Sequence, residues 1–453
     1  MKKNIIIIIV IIIVITLIYG FTPYDNILQY ENNKTNQIKQ FESYLDNKDY
    51  NGIVKLLENE IFFDNNYFVS KYSCFNSLLN VYKSQVIAST NNYINNSDYV
   101  SANNLLVSTY KYFKDDNAIN YLISLNNKLL SQNNTAEYTG PIEHLNFQTL
   151  IAFPEKTFNQ NNTNSTIEEE KITTSEFTAI LEELYRNNYI LVDIFDIINP
   201  DNLSQKKLTL PGNKKPIIFS FDNVTYRSNY QNLGGIDKII LDRNNNLATY
   251  TTKKSIQDRI QYDNEFIVIL EKFITDHPDF SHNNARGIIF LTGENGILGY
   301  NTCHKNASYK YEAKRASEVI KKLKNNGWRF GCNSYTYSID NTKTDLDFAK
   351  EISLWSKELR SIIGDTPLYA HPYGVQDSSE KKLEILLSNN FSIHFQNSDS
   401  NDIQFHNSHY VLNRKSVSGK TLRSGSDIFN HLFDSERVYD HNNRQISYIC
   451  EPL

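Results

Sequence analysis

Three short polar segments of the sequence each follow a run that predicts a buried β-strand. They are Asp222-Asn223 after residues 216–221, the segment 333–337 after residues 328–331, and His371-Pro372-Tyr373-Gly374 after residues 367–370. Carboxylate and imidazole side chains can bind a metal ion or transfer a proton. Asp222 also has a structural interpretation, because a carboxylate at the end of a strand commonly caps a turn.

Aromatic side chains in and near the same segments indicate a second kind of chemistry. A groove lined by tyrosine and tryptophan rings would suit stacking against sugars. The groove candidates are Trp328, Tyr335, His371 and Tyr373, with Tyr337 next to them.

Strand and helix patterns alternate through the part of the chain that carries these segments. Thr173-x-x-Glu176 is a capping box, and the apolar residues after it fall on one helical face. Further predicted helices at 265–276, 310–324, 346–363 and 381–387 separate predicted strands, and a hairpin at 236–250 interrupts the pattern. Repeated strand–helix units form a parallel sheet, and one this long most simply closes into a β/α barrel. We predict this barrel over residues 142–433, with the polar segments at the carboxyl ends of its strands.

Taken in order, these segments resemble motifs of the polysaccharide deacetylase (NodB homology) family. Ser220-Phe221-Asp222-Asn223 is similar to its T/S-F-D-D motif, residues 333–337 match its H-S-x-x-H motif in position, and Pro372-Tyr373-Gly374 matches its P-Y/F-G turn. The resemblance covers about residues 144–433 and is closest to the membrane-anchored bacterial branch. It implies a deformed (β/α) barrel and, in active members, hydrolysis of acetyl groups on a polysaccharide.

The same resemblance implies a divalent metal, commonly zinc, held by one aspartate and two histidines beside a catalytic base. Asp222 corresponds to the base and is retained, whereas Asn223, Asn333 and Tyr337 stand at the three ligand positions. An amide oxygen is a poor ligand for zinc, and a phenol is rarely ionised at neutral pH. We therefore predict that this chain binds no catalytic metal and uses no cofactor.

Other polar residues could in principle rebuild a site. His371 follows a predicted strand and His304 lies in a predicted loop, and both could approach Asp222, although their spacing does not require it. Gln148 stands where related sequences suggest histidine, and His409 is a candidate for the general acid of the family.

The amino-terminal residues predict a membrane anchor. Lys2 and Lys3 precede the apolar run from Ile5 to Phe21, and no small-x-small cleavage site follows it. A run of this length approaches that of a spanning helix, and the lysines favour the cytoplasmic side. We predict an uncleaved anchor at residues 1–22 with the rest of the chain outside the cytoplasm; a cleaved signal peptide is the alternative and leads to the same compartment.

Residues 27–135 predict an α-helical region with an internal repeat. Tyr44-Leu45-x-Asn47-x-Asp49-Tyr50 recurs 49 residues later as Tyr93-Ile94-x-Asn96-x-Asp98-Tyr99, and Leu56-Leu57 recurs as Leu105-Leu106. A polar turn followed by paired leucines indicates a helical hairpin that packs on its neighbour. We interpret the region as a spacer in preference to a peptide-binding module. Residues 136–146 are predicted to be a linker and residues 434–453 a carboxyl-terminal tail.

The length, the net charge and the cysteine spacing of the chain limit which kinds of partner and metal site are expected. The chain has 453 residues, enough for two folded units, and its formal net charge is only -5, without a basic stripe or tail. Nucleic acid is therefore not an expected partner. The four cysteines lack the C-x-x-C spacing of a zinc knuckle.

Three functions remain open from the sequence. The first is a catalytically degenerate deacetylase-like barrel that binds a cell-envelope glycan or an envelope protein. The second is an active hydrolase that removes N- or O-acetyl groups from envelope polysaccharide. The third is a helical-repeat scaffold that carries a passive barrel. The replaced ligands favour the first and third over the second.

Overall fold

The computed structural model describes residues 36–58, 73–113, 116–133, 135–158, 165–226, 230–231, 233–252, 254–303, 307–425 and 427–444. The chain separates into two compact units, one ending at Gln132 and the other starting at Asn133. The predicted anchor at residues 1–22 lies outside the described residues. Within the described ranges, no helix has the length and apolar character needed to cross a membrane.

The first unit is helical. Its helices are residues 36–46, α1 (Tyr50–Glu58), α2 (Ser73–Asn95), α3 (Tyr99–Phe113) and α4 (Asn117–Asn133). Their buried faces meet in one apolar cluster that includes Phe41, Tyr82 and Ile119.

The two copies of the sequence repeat have the same local structure. The N–H of Asp49 and the N–H of Asp98 each donate to the carbonyl five residues earlier, at 2.9 Å in both turns. Each of these carboxylates also accepts from the N–H three residues later, at 2.9 and 3.1 Å, and so caps the helix that follows. Leu57 and Leu106 are buried at equivalent positions. The repeated unit is therefore a helix, a capped turn and a second helix.

The second unit is built on seven parallel strands in chain order. They are β1 (Glu143–Phe147), β2 (Lys215–Phe221), β3 (Ile288–Leu291), β4 (Arg329–Cys332), β5 (Leu368–Ala370), β6 (Ile393–Asn397) and β7 (Tyr410–Ser416). Each strand pairs with the next, and β7 pairs with β1, so the sheet closes on itself. The predicted β/α barrel is present, in a seven-stranded form.

One boundary differs from the prediction. The predicted linker at 136–146 overlaps the predicted barrel, which starts at residue 142, and the structure favours the barrel boundary, because residues 143–147 form β1, the strand that closes the barrel. Glu143, His144 and Asn146 make this strand polar, so it lacks the apolar run that identifies a buried strand. All three side chains are buried and hydrogen-bonded within the barrel.

Helices cover the outside of the barrel. The main ones are α5 (Thr174–Arg186), α6 (Phe266–Asp276), α7 (Tyr309–Asn325), α8 (Asp345–Ile363) and α9 (Glu380–Ser388). Shorter helices are Pro154–Thr157, Ser165–Glu170, Ile194–Ile197, Gly419–Arg423 and Ser435–Val438. The predicted capping box starts α5, since Thr173 and Glu176 each accept from the backbone N–H of the other.

Further strands extend the barrel at its edges. Tyr189–Leu191 pairs with β2, and Ile403–Phe405 pairs with β7. Thr135–Glu137 and Thr209–Pro211 pair with each other in a separate two-stranded sheet. The predicted hairpin is part of a small antiparallel sheet formed by Lys238–Leu241, Leu247–Tyr250 and Ile260–Gln261.

Two apolar clusters fill the second unit. One lies between the barrel wall and the helices and contains Phe177, Phe219 and Trp355. The other lies inside the barrel and contains Ile218, Phe290 and Phe395. Alternate residues of each strand thus face opposite clusters, as the pleat of a strand requires.

The end of the chain also differs from the prediction. Residues 434–444 were expected to be a tail, but they pack against α5. Arg444 is buried, and its Nε donates to Glu176 Oε1 at 2.6 Å. The folded unit therefore extends at least to residue 444.

Candidate functional site

The candidate site lies inside the carboxyl end of the barrel, where Asp222 directly follows β2. Arg414 of β7 meets it there, with Nη1 at 2.8 Å from Oδ1 and Nη2 at 2.9 Å from Oδ2. Both residues are 0% exposed. Two parallel charge-assisted hydrogen bonds use both oxygens of the carboxylate.

Polar side chains of neighbouring strands surround this ion pair. Asn146 of β1 donates to Asp222 Oδ2 at 3.2 Å and accepts from Arg414 at 3.1 Å. Ser220 accepts from Arg414 at 3.2 Å and lies 3.0 Å from the Nε2 of His144. These contacts form a polar layer above the apolar interior of the barrel. A buried ion pair needs such partners, because its desolvation cost is otherwise not recovered.

The side chain of Asn333 forms hydrogen bonds with the backbone of Asn223 and of Ala370. The Oδ1 of Asn333 accepts from the N–H of Asn223 at 2.9 Å, and its Nδ2 donates to the carbonyl of Ala370 at 2.9 Å. Asn223 has φ 55°, a left-handed conformation that asparagine tolerates better than most residues. Asn333 therefore joins the ends of β2, β4 and β5, a structural task that occupies its oxygen.

Tyr337 closes the top of this region. Its hydroxyl accepts from Gln148 Nε2 at 2.9 Å, and its ring lies 4.6 Å from that of Tyr373. Burial, together with the nearby charge of Asp222, raises the pKa of Tyr337. The phenol is therefore neutral at physiological pH. Tyr337 is 6% exposed, whereas Tyr373 is 50% exposed and forms the outer surface.

The residues at the three predicted ligand positions do not fit a catalytic metal. Asn333 has its oxygen engaged, Tyr337 is protonated, and Asn223 offers only a neutral amide oxygen. Among the described residues, no group of three or more His, Cys, Asp or Glu side chains could hold a metal ion. Zinc favours thiolate, imidazole and carboxylate ligands, so this donor set is unsuitable for it.

The remaining site candidates lie apart from Asp222. Trp328 is 1% exposed, packs near Phe221 and donates from Nε1 to Glu271 at 2.7 Å. Tyr335 is buried, and its hydroxyl donates to Glu358 at 2.9 Å. Both belong to the cluster between wall and helices, apart from the ion pair inside the barrel, and Trp328 lines a separate surface pocket next to Arg329 and Phe330.

His371 binds an aspartate other than Asp222. Its Nδ1 lies 3.0 Å from the Oδ2 of Asp340. His304 lies outside the described residues. His409 directly precedes β7, at the opposite end of that strand from the ion pair, which does not suit the role of general acid beside Asp222. The structure thus brings together Asp222, Asn223, Asn333, Tyr337 and Tyr373, and separates them from Trp328, Tyr335 and His371.

Sequence reasoning missed Arg414 and Asn146. A signal for Arg414 was present, since Tyr410, Leu412 and Arg414 alternate in the sequence and share one face if this segment is a strand, as it is in β7. A charged residue on the inward face of a barrel strand requires a buried partner of opposite charge. Asn146 gave no such signal, because its segment did not look like a strand.

Comparison with known proteins finds similarity to solved structures but no match at the level of sequence. Neither a protein-family model nor a curated protein matches the sequence. The structure is similar to the Streptococcus pyogenes deacetylase PplD in complex with acetate, with a TM-score of 0.37 and 12% identity over 63% of this chain and 95% of that one. It is also similar to a de-N-acetylase from Aggregatibacter actinomycetemcomitans, with a TM-score of 0.39 and 10% identity over 65% of this chain and 100% of that one. Identities this low carry no information on the activity of this chain.

The fold and the site together place the second unit of this protein among the β/α barrels. It is a closed, seven-stranded parallel β/α barrel with a buried arginine–aspartate pair at the carboxyl ends of its strands. A helical unit with an internal repeat precedes this barrel in the chain.

Proposed function

We propose that the second unit is a deacetylase-like barrel that has lost catalysis and binds a cell-envelope glycan or protein. The observation that carries this proposal is the pairing of Asp222 with Arg414. A general base must reach the proton that it removes, within about 3 Å or through one water. Asp222 is 0% exposed and both of its oxygens accept from Arg414, which supports a structural role for this carboxylate.

The neighbouring residues support the same conclusion. Asn223 and Asn333 hold strand ends together, and Tyr337 fills the space above Asp222 with a neutral phenol. Loss of every strong ligand removes both the metal that would polarise an acetyl group and the water that it would activate. The residues that remain stabilise the barrel.

We expect no release of acetate from chitin oligosaccharides or peptidoglycan by the full chain. Acetate is measured enzymatically after long incubation, with and without a chelator. The triple variant Asn223→Asp, Asn333→His, Tyr337→His is the matched control, and we expect it to bind one more equivalent of zinc than the parent. Release that Asp222→Asn and the chelator both abolish would establish a metal-dependent hydrolase instead. Release that only Asp222→Asn abolishes would establish a metal-free hydrolase.

The exposed surface at the same end of the barrel is the proposed binding surface. Tyr373 is 50% exposed and Val375 is 38% exposed, which gives an apolar patch beside the strand ends. Aromatic rings of this kind stack against sugars. Tyr373→Ala is therefore expected to weaken co-sedimentation with purified envelope polysaccharide. Tyr121→Ala, which changes a tyrosine of the helical unit that is 66% exposed, should leave it unchanged. Equal binding by all three proteins would remove Tyr373 from the interaction.

We further propose that residues 1–22 anchor the chain and place both units outside the cytoplasm. This proposal is supported by the two lysines before the apolar run 5–21. Protease added to intact cells should then digest residues 36–444, while a cytoplasmic control protein stays intact. Complete protection of the chain would show the opposite topology.

A further inference from the structure

An open cavity lies at the amino ends of the barrel strands, at the opposite end of the barrel from Asp222. Arg329 begins β4, Pro367 and Ser392 directly precede β5 and β6, and all three line this cavity. Its volume is about 730 Å³, within the range of roughly 300–1,000 Å³ that is typical of sites for small molecules. We call it the amino-end cavity. It is a candidate binding site that is separate from the buried ion pair.

Apolar side chains form much of the wall of the amino-end cavity. Phe330 and Ile363 are 4% and 2% exposed and belong to the cluster between the barrel wall and the helices, so the core fixes this part of the wall. The other apolar side chains of the wall are half-buried and comprise Phe195, Pro200, Pro367 and Leu387. A ligand with an apolar body would release water from these surfaces, which favours its transfer into the cavity.

Arg329 presents to the cavity a guanidinium group that is held in place by its neighbours. Its Nε donates to Asp193 Oδ2 at 2.6 Å, and the group lies 5.1 Å from the centre of the Phe195 ring. Among the described residues, its two Nη groups have no hydrogen-bond acceptor. The ion pair and the aromatic contact thus orient a fork of donors, a geometry that suits a carboxylate or a phosphate.

Lys324, in the last turn of α7, is the second cation of the amino-end cavity. Its Nζ donates to the carbonyl of Ile363, the last residue of α8, and two of its three hydrogens remain for a ligand. Within the described part of the chain, no carboxylate forms an ion pair with Lys324. Burial, and the charge of Arg329, lower the pKa of Lys324. An anion between the two cations would relieve this repulsion.

The carboxylates around the cavity leave one positive charge unmatched. Asp193, with a side chain that is 9% exposed, pairs with the guanidinium of Arg329 and neutralises it. Asp201 and Asp365 also line the cavity, but both are exposed, and the Asp365 side chain is 90% exposed. Water and salt screen exposed charges, so neither carboxylate neutralises Lys324. The wall thus carries one unpaired positive charge, which favours a ligand with a single negative charge.

We propose that the amino-end cavity binds a small organic monoanion with an apolar ring or chain. Its charged group accepts from the terminal nitrogens of Arg329 and from Nζ of Lys324, in charge-assisted hydrogen bonds. Its apolar part packs against Pro367 and Leu387, and Ser392 adds a hydroxyl donor at the wall. The site is separate from Asp222 and does not depend on the proposed function.

The test is a calorimetric titration of the full chain with 2-naphthoate, a monoanion on an apolar ring system. We expect one saturable equivalent per chain. The neutral probe 2-naphthamide has the same rings without the charge. It should bind at least about tenfold more weakly, because it cannot form the charge-assisted hydrogen bonds to Lys324 and Arg329. Comparison of the two probes separates recognition of the charge from apolar partition alone.

Two variants of the cavity wall provide the second readout. Lys324→Gln should weaken binding of 2-naphthoate by at least about tenfold and leave that of 2-naphthamide nearly unchanged, whereas Ser392→Phe, which places a ring inside the cavity, should weaken both. Lys314 is an exposed lysine of the same helix outside the cavity, so Lys314→Gln is the matched control, and circular dichroism shows whether each variant is folded. The proposal is overturned if the parent chain shows no saturable binding, if the two probes bind equally, or if folded Lys324→Gln and Ser392→Phe bind 2-naphthoate as the parent does.

Discussion

Arg414→Ala is expected to lower the free energy of unfolding of the barrel by about 3–5 kcal/mol. The change would leave the Asp222 carboxylate buried at 0% exposure without its bidentate partner, and among the described residues Asn146 would be its remaining side-chain donor. Removing one member of a buried ion pair is costly because the other charge stays desolvated. The measurement is equilibrium unfolding in urea, followed by the fluorescence of Trp328 and Trp355.

A double-mutant cycle separates the ion pair from simple loss of packing. Asp222→Asn combined with Arg414→Met should be less destabilising than Arg414→Met alone, since no charge is left unpaired. Lys207→Ala, which removes an exposed ion pair with Glu137, should leave the urea midpoint unchanged. Additive effects of the two barrel substitutions would show that the pair contributes no coupling energy.

The stability of the Asp222→Asn variant also distinguishes a structural role of this carboxylate from a catalytic one. Functional residues are often held at a cost in stability, so their removal tends to stabilise an enzyme. If Asp222 has a structural role, Asp222→Asn destabilises the barrel, because Arg414 then lacks its counter-charge. A more stable Asp222→Asn variant would argue for a retained functional carboxylate.

The contribution of Glu265 to the stability of the barrel is expected to fall as the pH rises from about 5 to 8. Burial raises the pKa of Glu265 to about 8, although the N–H groups of Phe266 and Leu150 and the charge of Lys171 act in the opposite direction. Below the pKa of the unfolded chain, near 4.5, the carboxyl group is protonated in both states and its contribution is fully present. Above it, the unfolded chain releases a proton that the folded chain retains. The contribution is therefore lost at up to about 1.4 kcal/mol per pH unit until the folded group ionises.

Glu265→Gln is the matched variant for this prediction. Glutamine keeps an oxygen that can accept from the N–H of Leu150, at 3.1 Å in the parent, but it does not titrate. The difference in unfolding free energy between parent and variant should therefore change by a few kcal/mol from pH 5 to 8. Parallel stability curves over this range would show that Glu265 titrates alike in the folded and unfolded chains.

The sequence by itself determined the elements that local patterns encode. The capping box at Thr173 and Glu176 and the repeated turns at Asp49 and Asp98 depend on hydrogen bonds between residues three to five positions apart. Apolar runs also identified most barrel strands, because a strand that is buried on both faces has few polar residues. Strand β1 was missed, since its polar side chains find partners only on other strands.

Only the tertiary structure decided what the candidate site is. Arg414 and Asp222 are 192 residues apart in the chain, and no local pattern links them. The ring closure that pairs β7 with β1 brings them together. The same long-range geometry turned His371 toward Asp340 on the outer face, next to His394 and His409. Residue types at strand ends can be read from sequence, but which side chains meet depends on strand order, register and the face that each residue presents.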